Sequence, residues 1–202
     1  MARPKNQGAR REALIEAAGR AITERGLAGL RIKDIAAEAG VSVGSVLYYY
    51  PELDDLVFEV HQDAVERYLT ARLSHSSADA AVDPAERLRR AIESGLPRDS
   101  DDATHRLLYE LHGLADRSRQ HAALMSSLFA REVALYTTIL EVGCAEGAFT
   151  PSTPVADIAR DLVMLEDGYG LHIVGRNPAV DHDTASDALA GLARTLTGCS
   201  RL

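Results

Sequence analysis

Apolar residues recur along the chain at intervals of three and four and nowhere alternate one by one, the pattern of helices and not of strands. Leu14, Ile15, Ala18, Ala21 and Ile22 share one face of a helix from Ala9 to Arg25, which Gly26 closes. A shorter helix from about Ile32 to Ala39 turns Ile35 and Ala36 inward and stops at Gly40. Ser42 is placed to cap a third helix reaching Tyr50, with Val41 and Val46 at the two positions of a hydrophobic staple. On this third helix Val46, Leu47 and Tyr50 are expected to face the core, and Gly44, Ser45, Tyr48 and Tyr49 to face outward. Pro51 closes the unit.

The pattern lengthens from there. A helix is expected from about Leu53 to Ser74, carrying Leu56, Val57, Val60, Val65, Tyr68 and Leu69, followed by a connector over Ser74–Ala81. Asp83-Pro84-Ala85-Glu86 is a helix start, with a capping aspartate, proline at the first helical position and an acid near it. Pro97–Asp102 interrupts; helices are expected from Ala103 to about Arg117 and from about Arg119 to Gly147. Thr153-Pro154 opens another that runs to about Val174, Gly175–Pro178 breaks it, and a last runs from about Thr184 to Leu196. The expected fold is all-α, about nine helices, three short ones leading. The division expected is residues 1–52 as an N-terminal helix-turn-helix domain and 53–202 as a larger helical domain.

Composition agrees. The 202 residues are 46% hydrophobic and 26% charged, with 5% aromatic and no tryptophan, a globular balance suited to helices. The formal net charge of −8 argues against nucleic acid until its distribution is seen. Residues 1–50 hold eight Lys and Arg against five Asp and Glu, whereas the rest holds 14 against 25. A basic module on an acidic body points to DNA contact at one end. Cys144 and Cys199 match no metal spacing, no run of about 18 apolar residues is present, and Arg3 and Lys5 precede no apolar segment of a signal peptide. A reduced, cytoplasmic setting away from the membrane is expected, with residues 1–8 as a short basic mobile arm.

A helix-turn-helix needs a small residue at the turn, here Gly40, an apolar one behind it, here Val41, and a second helix slender enough for a major groove. Arg31 and Lys33 start the first of the two helices, where cations and the positive helix end would meet phosphates. Ser42, Val43, Gly44 and Ser45 would approach base edges, and the Tyr48 and Tyr49 phenols would donate to phosphates.

The run from Ile35 to Val46, followed by Tyr-Tyr-Pro, together with Ala17-Ala18-x-x-x-Ile22-x-Glu24-x-Gly26, resembles the TetR/AcrR family of bacterial repressors over residues 9–58. Leu47 stands where that family usually has tyrosine, Tyr49-Tyr50 where it has histidine or tyrosine and then phenylalanine, Leu53 where it has lysine, and Arg31 where it has threonine or serine. Later, Gly143-x-x-x-Gly147-x-Phe149 and the Asp167-Gly168 helix are similar to the choline-responsive BetI-like variant. The resemblance implies a ligand-responsive repressor acting on a palindromic operator as a homodimer, with an effector pocket within residues 53–147 and the last two long helices forming the dimer. Effector binding would then move the fourth helix and reset the spacing of the recognition helices.

In the residues themselves, the helix of 154–174 is apolar around most of its circumference, which favours a four-helix interface formed with 184–196 and their copies. Candidate effector contacts are Tyr68, Glu110 and His112, Glu132 and Tyr136 one turn apart, and Glu166, Asp167 and Tyr169 beside His172. Acids in one apolar chamber would favour a cationic effector such as a polyamine or quaternary amine, with a lipophile as the other choice. His105 and His112 stand seven apart without a metal motif, and no nucleophile elbow or phosphate loop occurs, so neither cofactor, metal nor catalysis is expected. The competing reading is an all-α small-molecule carrier or enzyme whose helix-turn-helix is structural.

Overall fold

In a computed structural model the chain is described over residues 7–76 and 82–202. Nine α-helices are found there and no strand: α1 Gln7–Arg25, α2 Ile32–Glu38, α3 Val43–Tyr49, α4 Leu53–Ser76, α5 Pro84–Gly95, α6 Ala103–His112, α7 Arg119–Ala145, α8 Val155–Val174 and α9 His182–Thr197. Residues 1–6 of the expected arm and 77–81 of the expected connector lie outside the described residues. Gln7 and Gly8 already belong to α1, and α4 continues to Ser76. The sixth helix stops at His112, not near Arg117, because Gly113 begins a 3₁₀ turn over Gly113–Asp116.

Two compact units emerge. The first takes the described residues up to Glu66 together with Arg106–Met125, so it extends past residue 52. The second takes Arg67–His105 and Ser126–Leu202.

In the first unit, Leu14, Ala17, Ala18, Ala21 and Ile22 of α1 are buried with Ile35, Ala36, Val46, Leu56 and Val60. Glu110 Oε1 accepts the Leu27 N–H at 2.6 Å, and Arg106 donates to Thr23 O at 3.1 Å, so the C-terminal end of α1 is tied to α6. His61 is buried between His121 and Met125: its Nδ1 lies 2.7 Å from His121 Nδ1 and its Nε2 3.2 Å from Met125 Sδ. Burial first, then the neighbouring His121, pushes His61 down to about 4, so it is neutral.

In the second unit, α5, α7, α8 and α9 enclose one apolar core built from Leu88, Ile92, Leu140, Leu162, Val163 and Leu189 with their neighbours. Asp83 caps α5 by accepting the Ala85 N–H at 3.4 Å, with Pro84 in the first turn. Of the described helices α7 alone matches a membrane span in length and mean hydropathy, although polar and charged residues interrupt it and it holds no unbroken run of about 18 apolar residues. Its Leu128, Tyr136, Ile139 and Leu140 are nevertheless buried against protein, and its Glu132 is ion-paired.

Candidate nucleic-acid interface and effector cavity

The corner between α2 and α3 follows from hydrogen bonds that the sequence fixes locally. Gly40 has φ +64°, a conformation in which a Cβ would be strained. This lets Val41 N–H reach Ala36 O at 2.9 Å and Gly40 N–H reach Ala37 O at 3.2 Å, the paired bonds of a Schellman turn. Ser42 then starts α3, its hydroxyl oxygen accepting the Ser45 N–H at 3.1 Å. Val46 and Tyr50 fasten α3 to the core. Tyr50 donates to Glu59 Oε2 at 2.5 Å, Arg11 pairs with the same carboxylate, and the Arg11 guanidinium lies 4.6 Å from the Tyr50 ring centre.

Anchored in this way, α3 shows its other side to solvent. Val43 is 41% exposed, Leu47 39% and Tyr48 73%, and Ser42 and Gly44 are exposed as well. Ser45 is half-buried. Two sequence expectations change. Leu47, expected to face the core, lies on the outer flank, because Val46 and Tyr50 take the buried stripe and the next residue is turned about 100° from it. Tyr49, expected to face outward, is half-buried, its ring meeting Tyr48 edge-on at 5.1 Å. Arg31 and Lys33 are exposed, and Asp34 accepts the Arg31 N–H at 3.1 Å.

The eight residues expected to contact effector separate into different settings. Glu110 and His112 belong to the first unit and are exposed, with Glu110 engaged on Leu27. Tyr68, Glu132, Tyr136 and Glu166 come together in the second unit, all buried; Asp167 on the same α8 is exposed and Tyr169 half-buried. Between the two buried acids lies a residue the sequence reading did not select, Arg72, 1% exposed. It donates to Glu132 at 2.9 Å, to Glu166 at 3.0 and 3.1 Å, to the Tyr68 and Tyr136 hydroxyls at 2.9 and 3.2 Å and to Ala91 O at 3.1 Å. The expected chamber of unpaired acids is therefore a closed ionic knot whose cation is supplied by the chain. The available signal was the spacing: Arg72 stands one helical turn beyond Tyr68, on the buried side of α4.

Against this knot lies a cavity of about 860 Å³. Tyr68, Leu96 and Arg72 form part of its wall, with Arg67, Arg90 and Arg98 around it. Glu93 and Asp102 also contribute. Among the described residues no group of three His, Cys, Asp or Glu side chains is placed to hold a metal ion. Cys144 and Cys199 are free thiols.

An exposed, groove-sized helix held by a two-helix corner is the geometry of a helix-turn-helix, the motif with which many regulators enter a major groove. Residues 14–60 match the family described as bacterial regulatory proteins, tetR family. Over that region the chain resembles the DNA-binding part of TetR-family transcriptional regulators. It is 25% identical over 162 residues to the uncharacterized HTH-type transcriptional regulator YfiR of Bacillus subtilis, covering 79% of this chain and 77% of that one. It is 26% identical over 162 residues to the HTH-type transcriptional repressor KstR2 of Mycolicibacterium smegmatis, covering 78% and 76%. A third likeness, 36% over 83 residues, is to the HTH-type transcriptional regulator BetI of Burkholderia lata and covers 41% and 42% of the two chains. In fold, the chain is similar to a transcriptional regulator from Saccharomonospora viridis in complex with choline, at TM-score 0.83 and 22% identity over 92% of this chain and 96% of that one.

Proposed function

We propose that the protein is a ligand-responsive repressor that binds a palindromic operator as a homodimer in the cytoplasm, with residues 1–52 serving DNA and 53–202 serving effector binding and dimerisation. The observation that carries the ligand response is the cavity of about 860 Å³ in the second unit of a DNA-binding chain. Arg31 and Lys33 meet backbone phosphates, Ser42, Val43, Gly44 and Ser45 approach base edges, and Tyr48 and Tyr49 flank them.

Dimerisation through 154–174 and 184–196 is supported by α8, where Met164 at 60% and Leu171 at 58% exposure, with Leu165, leave an apolar surface on a core helix. Two copies would offer recognition helices to half-sites about 34–36 Å apart.

For the effector, the wall sets Tyr68 and Leu96 beside both cations (Arg67, Arg90 and Arg98) and acids (Glu93 and Asp102), which favours a molecule with an apolar body and a polar, hydrogen-bonding end. The Glu132–Glu166 pair already has its counter-ion in Arg72, so it does not call for the cationic amine expected from sequence.

Light scattering of the purified chain, fluorescence anisotropy on the duplex upstream of its own gene and titration of carboxylates, lipophiles and choline into that complex test the proposal. A dimer whose DNA is released by a saturating ligand is expected. A monomer that ignores every duplex, or a complex released by choline alone, would contradict the corresponding part.

A further inference from the structure

Few residues on α3 can read a base by hydrogen bonds. In B-DNA the bidentate contacts that identify guanine and adenine come from arginine, lysine, asparagine or glutamine, and cytosine is identified by an acid. Val43–Tyr49 contains none of these. Its two serine hydroxyls at the entrance, Ser42 and Ser45, face each other at 2.9 Å, and Ser42 also accepts the Ser45 N–H. Tyr49 is half-buried. What remains exposed is mostly apolar: Val43 and Leu47 one turn apart on one flank, with Gly44 and Tyr48 one turn apart beside them. Gly44 has nothing nearer than Ser42 Oγ at 3.9 Å to the place its Cβ would take, so this part of the helix can press against a groove floor.

An apolar surface of that kind has one partner on the major-groove edges. Among the four bases only thymine carries a C5-methyl group there, and aliphatic or aromatic contact with it is the apolar form of direct readout.

We propose that this regulator identifies its operator half-site through thymine methyl groups packed against Val43, Leu47 and the Tyr48 ring, while Arg31 and Lys33 supply affinity that is blind to sequence. The Ser42–Ser45 pair caps the helix, and a hydroxyl near the base edges gives no bidentate contact that identifies one base. The half-site is therefore rich in A·T pairs where α3 lies, and its G·C pairs there are tolerated without being selected.

Uracil differs from thymine by the methyl group alone, which makes the test direct. Duplexes bound by the full-length chain are selected from a random pool, and each thymine of the enriched half-site is replaced by deoxyuridine in anisotropy titrations. The expected result is a loss of roughly three- to fivefold per methyl in contact, the size of burying about one such group. In Leu47→Ala that loss shrinks toward unity at the position Leu47 covers, and Val43→Ala gives the same reading one contact away should the first variant fold poorly. Restoring a methyl by placing 5-methylcytosine in a weakened T-to-C duplex recovers part of the affinity. Unchanged binding to uracil duplexes, with sequence preference intact, would overturn the proposal and assign recognition to duplex shape. No enriched duplex at all would overturn DNA binding itself, a separate result.

Discussion

Arg72 grips Glu166 with both prongs of its guanidinium, Nη1 to Oε2 at 3.0 Å and Nη2 to Oε1 at 3.1 Å, while Nη1 also serves Glu132 at 2.9 Å. One cation thus satisfies two carboxylates that water does not reach, and it joins α4 to α7 and α8. Removing it leaves two buried acids without a counter-ion, a loss of about 3–5 kcal/mol. Arg72→Met is expected to lower the urea midpoint accordingly. Glu132→Gln with Glu166→Gln in the same chain should restore much of it, because an amide costs far less to bury than a carboxylate. Equal destabilisation of the single and triple variants would mean that packing, not charge, is what Arg72 supplies.

Two acids around one arginine also give stability a pH dependence. Burial pushes Glu166 up to about 7, with Arg72 opposing and Glu132 adding to the rise; Glu132 is raised for the same first reason. The folded chain therefore holds a proton that the unfolded chain releases near the ordinary carboxylate value of 4.5. This contribution is complete below pH 4.5 and is lost as pH rises through about 7, an amount on the order of 3 kcal/mol. Asp102 is shifted the opposite way, downward, so its contribution changes only in more acid solution. Unfolding midpoints are expected to fall between pH 5 and pH 8, and Glu166→Gln to flatten that slope. A midpoint that rises over the same interval would contradict the assignment.

Helix spacing and punctuation made most of the fold legible, because Gly40, Ser42, Pro84 and Pro97 act within a few residues of themselves. The Gly40 turn and the Ser42 cap follow from local hydrogen bonds, so the recognition corner could be read directly. Leu47 could not, since a seven-residue helix completes two turns and its flanks depend on where Val46 and Tyr50 find the core. The acid cluster was half legible: Glu132, Tyr136 and Glu166 were selected, but Arg72 comes from 60 residues before Glu132, and pairing at that separation is set by tertiary packing. Glu110 and His112 share a helical pattern with the buried residues of α6, yet α6 turns them outward.

Gly95 records how tightly the knot is packed. A Cβ built there would stand 2.0 Å from Glu166 Oε1 and 2.3 Å from its carboxyl carbon. Gly95→Ala must push Glu166 off Arg72 or open α5 from α8, and a loss of about 1–3 kcal/mol is expected, the range for overpacking a core. The same change in Glu166→Ala should cost much less, since the obstructing carboxylate is gone. Chemical denaturation of the four chains gives the coupling directly, and strict additivity would show that the two residues do not meet.

The residues proposed to face DNA are expected to separate by their salt dependence. Lys33 is exposed at the start of α2, and a lysine on a phosphate releases about one condensed counterion when it binds. Lys33→Ala is therefore expected to weaken all duplexes alike and to reduce the slope of log affinity against log salt by about 1 per subunit, about 2 for a bound pair. Tyr48→Phe keeps the exposed ring and removes a neutral donor, so affinity should drop severalfold with the slope unchanged. Tyr48→Ala also removes the ring and should relax sequence preference, which the other two leave in place. Anisotropy titrations from 50 to 200 mM salt on a specific and a scrambled duplex separate these outcomes. If Lys33→Ala instead erased sequence preference and left the slope intact, that side chain would be a base reader, and the division between phosphate and base contacts drawn across α2 and α3 would be reversed.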